Sequence, residues 1–118
     1  MSPSTEDLEE FKNSILTGVT VGMGSLILQF SSNAYIMMQC DFRVSTEFSI
    51  KSGHAEKVDY SPILFQLLNE QVESIEFTSQ STLSLTFSGA KHLEIIPDNS
   101  GLEAYTITCR HGIIPVAL

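Results

Sequence analysis

Hydrophobic positions near the start of the chain recur at helical spacing, with Leu8, Phe11 and Ile15 on one face. Ser4 or Thr5 can cap such a helix, and Glu6 and Asp7 sit where the helix dipole favours carboxylates. This predicts a short helix over about 5–15, with Gly18 as its stop. The period then changes to two. Leu26, Leu28 and Phe30 alternate with Ile27 and Gln29, turn residues Ser31, Ser32 and Asn33 follow, and Ile36, Met38 and Cys40 alternate again. Val44, Thr46, Phe48 and Ile50 extend the pattern as a third strand, and the polar stretch 51–60 reads as a loop. Ser61 as cap and Pro62 in the first turn open a second helix over about 62–68, with Ile63, Leu64, Leu67 and Leu68 on its apolar face and Asn69 at its end. Strands follow at about 72–78, 82–88, 92–96, 103–109 and 113–117, too closely spaced for parallel crossovers.

Sliding the chain against itself by 57 residues lays Ser25, Leu26, Leu28, Phe30 and Ser31 on Thr82, Leu83, Leu85, Phe87 and Ser88. Ile36 and Met38 then fall on Leu93 and Ile95, and Asp41 on Asp98. The expectation is one domain over 1–118: a mainly β (α+β) antiparallel meander, forming a small sandwich or half-barrel from two related hairpin units at about 19–51 and 71–117. The outer faces differ. The second unit carries Ser84, Thr86, His92 and Glu94, whereas the first carries Ile27, Tyr35 and Met37 and needs a cover. The N-terminal helix is the expected cover, and a second copy of the chain on the Ile27, Tyr35 and Met37 face is the alternative.

Composition narrows the function. Fourteen acidic against six basic residues give a net charge of −8, which excludes direct partners bound through phosphates, both nucleic acids and anionic membranes. Charged residues are 17% and hydrophobic ones 42%, so the chain is not of disordered composition. No run of about 20 apolar residues occurs. The acidic start MSPSTEDLEE lacks a secretory signal pattern, and Cys40 and Cys109 have no metal or redox spacing. They read as reduced, strand-borne thiols of a cytoplasmic protein.

Catalytic patterns are lacking: no phosphate loop, no nucleophile elbow, no metal-ligand series and no cofactor motif. His92 and Glu94 share a strand face, but nothing supplies further ligands. The expectation is a non-enzyme without cofactor or metal. Carboxylates cluster at Glu6, Asp7, Glu9 and Glu10, at Glu56 and Asp59, and at Glu70, Glu73 and Glu76. Such clusters decorate a solvated surface or steer a basic partner.

The second half carries a recognisable order: Leu83, Leu85, Phe87 and Gly89, then Leu93 and Ile95, then Glu103, Ala104 and Tyr105, then His111 and Gly112. It resembles a family of small bacterial immunity proteins, encoded beside polymorphic toxins, that includes those of contact-dependent growth inhibition systems. That family usually has Trp where Tyr105 stands and Asp-Gly where Ser32 and Asn33 stand. The resemblance implies an antitoxin that binds and neutralises a cognate, basic, nuclease-type toxin domain. Clustering selects Glu56, Asp59, Glu70, Glu73 and Glu76 as the expected partner-binding carboxylates. The competing expectation is a small ligand-binding or assembly β module without a toxin partner.

Overall fold

The computed structural model describes residues 2–118. Ten strands run β1 Leu16–Gly22, β2 Ser25–Phe30, β3 Tyr35–Met38, β4 Asp41–Ser45, β5 Ile50–His54, β6 Val72–Phe77, β7 Leu83–Phe87, β8 Lys91–Ile96, β9 Tyr105–Cys109 and β10 Gly112–Val116. They form two antiparallel sheets, one ordered β1-β2-β3-β9-β10 and the other β5-β4-β8-β7-β6. The inner faces share a single buried core, filled by the alternating Leu, Ile, Phe and Met positions of the sequence. The mainly β sandwich built from two related units is therefore the observed architecture.

The duplication is close to two-fold symmetric. Each unit contributes three strands to one sheet and two to the other, so β1-β2-β3 matches β6-β7-β8 and β4-β5 matches β9-β10. The units meet where an isolated bridge pairs Ile15 with Gln71. Around it the hydrogen bonds come in pairs. Asn13 N–H donates to the Val72 carbonyl and Asn69 N–H to that of Leu16, both at 2.8 Å. Ile15 N–H donates to Ser31 Oγ and Gln71 N–H to Ser88 Oγ, both at 2.9 Å. Both first strands carry a bulge, between Leu16 and Gly18 and between Val72 and Ser74. Both are preceded by a left-handed asparagine, Asn13 at φ 66° and Asn69 at φ 70°.

The N-terminal helix is shorter than its periodicity predicts. α1 spans Thr5–Leu8 and a 3₁₀ turn adds Glu9–Phe11. Ser4 and Asp7 form a capping box, Ser4 N–H to Asp7 Oδ2 at 2.8 Å and Asp7 N–H to Ser4 Oγ at 3.1 Å. Asn13 then turns the chain, Ile15 enters the bridge and Gly18 lies in β1, so it stops no helix. Nor does α1 cover the outer face of the first hairpin. Phe11 meets inward-facing Phe30 edge to face at 5.2 Å, and Leu8 joins the core beside β6. α2, Pro62–Phe65, occupies the equivalent place in the second unit. Ser61 does not cap it as a side chain, because its hydroxyl donates to the Val58 carbonyl at 2.8 Å.

Between Val44 and Ile50 the chain turns instead of extending. Thr46 Oγ1 accepts from the Phe48 and Ser49 N–H groups, closing a hairpin whose tip exposes Phe48. Four of the ten residues of the expected polar loop thereby belong to the edge strand β5, Ile50–His54. Cys40 lies in the bend between β3 and β4, not in a strand, whereas Cys109 ends β9; both are free and buried.

The two outer faces are opposites. On the first sheet, register places Thr20, Ile27, Met37, Thr106 and Pro115 in one row and Gly18, Gln29, Tyr35, Thr108 and Ile113 in the next. The matching rows of the second sheet are Glu76, Ser84, Glu94, Arg43 and Ser52, then Ser74, Thr86, His92, Ser45 and Ile50. No strand of the first sheet contains an Asp, Glu, Lys, Arg or His.

Candidate functional site

The units differ most in length where they cross between sheets. The first unit crosses between sheets through residues 39–40, from β3 to β4, while the second uses residues 97–104, from β8 to β9. The longer crossover also displaces the aspartate match: Asp98 sits inside it, whereas Asp41 begins β4. An open cavity of about 620 Å³ forms there, lined by Gln39, Glu56, Asp98, Ser100, Gly101, Leu102 and Glu103. The longer crossover supplies five of the seven lining residues, and Gln39 and Glu56 of the first unit complete the recess.

Local chemistry sets its shape. Asp98 accepts the Ser100 N–H at 3.0 Å, and Ser100 Oγ accepts the Leu102 N–H at 3.2 Å, so two short side chains hold the turn. Hydrogen bonding from Ser100, its hydroxyl first and its N–H second, keeps the Asp98 carboxyl below the usual range. Gly101 takes φ 79°, which carries Leu102 to the lip, where it is 72% exposed. Beyond the loop, Gln39 N–H donates to the Ala104 carbonyl and Ala104 N–H to that of Val116, each at 2.8 Å. Tyr105 is buried, and its hydroxyl donates to the Ser81 carbonyl at 2.8 Å, tying the crossover to the opposite sheet.

More carboxylates adjoin this recess. His54 Nε2 lies 3.7 Å from Glu56 Oε1 and 3.9 Å from Asp41 Oδ1. The Glu56 N–H donates to His54 Nδ1 at 3.1 Å, which makes that nitrogen an acceptor. A smaller hollow beside it is lined by Asp41, Ser52, Gly53, His54, Lys57 and Tyr60. Asp41, Glu56, Asp98 and Glu103 thus gather at one end, with Lys57 the cation of the adjoining hollow and Tyr60 and Leu102 as partly exposed apolar contacts.

The five carboxylates selected from sequence do not form one patch. Glu56 belongs to the recess, and Asp59 lies on the adjoining 3₁₀ turn Val58–Tyr60. Glu73 and Glu76 lie on β6, at the opposite edge of a five-stranded sheet, roughly 19 Å away at the usual strand spacing. Glu70 is engaged internally: Lys91 Nζ donates to Oε2 at 2.6 Å and the Ser88 hydroxyl to Oε1 at 2.9 Å. The Lys91 hydrogen bond, then that of Ser88, holds its carboxyl below the usual glutamate range. His92 and Glu94 are likewise spoken for on their strand, by Thr86 at 3.2 Å and Arg43 at 2.9 Å.

Sequence reading missed Asp41, Asp98 and Glu103, because they are isolated along the chain and meet only through the crossover. The available signal was the lengthened repeat spacing after Ile95, where strands of the second unit lag those of the first. Burial raises the Cys40 thiol to about 12, with the Asp41 charge adding to it, so it is no nucleophile for this recess.

Among the described residues no helix is long and apolar enough to cross a membrane. No curated protein and no solved structure matches the chain. One family profile does, over residues 8–118, and that span takes in both units, the bridge between them and the acidic recess. The chain belongs to this family, described as the family of unknown function DUF6188.

Proposed function

We propose that this chain is an immunity protein that captures a basic toxin domain at the acidic end of the sandwich and acts by binding alone, in the cytoplasm. The observation that carries the reading is the recess at the asymmetric crossover, where Glu56, Asp98 and Glu103 surround exposed Leu102. Carboxylates around an apolar contact suit a cationic cleft: the charges speed encounter, and burial of Leu102 and Tyr60 slows dissociation. The sequence resemblance to toxin-linked immunity proteins points the same way.

The test is coexpression and binding with the toxin domain encoded beside the gene. Reversing Glu56, Asp98 and Glu103 to Lys lowers the association rate at low salt by about tenfold, and wild-type association slows as salt is raised. Reversing Glu73 and Glu76 has the smaller effect. Unchanged rates and unchanged protection in the triple variant would overturn the reading. The competing reading, an assembly module, draws support from the uncharged outer face of the first sheet, which the toxin reading leaves unused.

A further inference from the structure

We infer that the outer face of the β1-β2-β3-β9-β10 sheet is a self-association surface, on which a second copy of this chain stacks back to back. The inference goes beyond the immunity reading and uses a different face. Every one of the 20 charged side chains lies off these five strands, although the chain's net charge is −8. The symmetry makes this a controlled comparison. Ile27, Met37 and Thr106 occupy the places held by Ser84, Glu94 and Arg43 on the other sheet, so the same backbone carries an ion pair on one side and none on the other.

The occupant follows from charge. A strongly anionic molecule repels its own copy at every orientation except those that keep carboxylates apart, and the strands of this face carry none. Two such faces meet without burying an unpaired ion, the costliest element of an interface. A basic partner finds nothing here to pair with. The surface is also self-complementary in kind, small Thr and Gly positions alternating with Ile27, Met37 and Tyr35, as a two-fold contact requires.

Size sets the strength. Five strands about 4.8 Å apart and about 17–20 Å long present roughly 450 Å² per copy, hence roughly 900 Å² for the pair. That falls just short of the ~1,000 Å² expected of a specific interface. The dimer is therefore reversible, micromolar or weaker.

Sedimentation velocity on the full chain, from a few micromolar to several hundred micromolar, tests this. The expected result is a monomer–dimer equilibrium that tightens by at least about a hundredfold between 10 mM and 150 mM salt, as repulsion between the acidic remainders is screened. Tyr35→Lys and Tyr35→Glu each weaken the dimer at least about tenfold, because the cost lies in burying a charge of either sign. Ile113→Lys, at a 66% exposed position that tolerates any side chain, repeats the test without disturbing the core. Ser84→Lys on the other sheet leaves association unchanged. A chain that stays monomeric throughout, a dimer weakened by Glu but not by Lys, or one that survives both Tyr35→Lys and Ile113→Lys overturns the inference. So does a monomer whose toxin binding is lost on Tyr35→Lys, since the face then belongs to that partner.

Discussion

At the scale of single residues, space and hydrogen bonding override what residue type suggests. Gly53 reads as a loop glycine, yet it sits in β5 with a Cβ position 2.7 Å from Tyr60 Cβ and 2.9 Å from Phe42 Cζ. It is glycine so that Tyr60 can lie across the strand. Gly53→Ala is expected to cost about 1–3 kcal/mol in urea unfolding, because one neighbour is a Cβ and cannot swing away. Glu70 reads as part of an acidic cluster but belongs to an internal network with Lys91 and Ser88. Its folded pKa lies below its unfolded value, so its contribution is complete above about pH 4.5 and is lost as pH falls through the lowered folded value. Glu70→Gln is therefore expected to destabilise the chain at pH 7 but scarcely at pH 2–3, measured by urea midpoints across that range. Cys40, buried and with its thiol raised to about 12, should resist a maleimide at pH 8 until the chain is unfolded.

At the scale of elements, strands were more legible than helices or junctions. Alternation placed the hairpins within a residue or two, because a sheet with one buried face writes its period directly into the sequence. Periodicity failed over residues 8–16, where Leu8, Phe11 and Ile15 keep helical spacing although the helix has ended. Leu8, Phe11, Asn13 and Leu16 are matched by Leu64, Leu67, Asn69 and Val72, at a shift of 56 that a search at 57 passes over. The equivalence is physical, since both asparagines hold left-handed backbone and donate across the bridge. Asn13→Ala and Asn69→Ala are each expected to cost about 1 kcal/mol, and the glycine variants less, as read from thermal or urea unfolding. The third expected strand failed at Thr46, whose Oγ1 accepts two backbone N–H groups and so turns a β-favouring run into a hairpin tip.

At the scale of the whole molecule, what matters is where the charge goes. Two bodies of charge −8 about 25 Å apart repel by about 10 kcal/mol in unscreened water and by less than about 1 kcal/mol at 0.15 M salt. Salt is thus expected to oppose capture of a basic domain at the recess and to favour contact through the neutral sheet, and one titration with both readouts separates the two surfaces. The sequence by itself determined the fold class, the two-unit plan, the excess of acid and the apolar outer face of the first hairpin. Each is a property of local period or of composition, and a chain carries these without folding. Only the tertiary structure decided that Glu70 is engaged, that Glu73 and Glu76 lie a sheet's width from Glu56, and that Asp41, Asp98 and Glu103 join it. It alone showed β9 and β10 completing the neutral face begun by the first hairpin. Those are contacts between residues far apart in the chain, set by which strands exchange sheets and by the length of one crossover, and no local pattern records them.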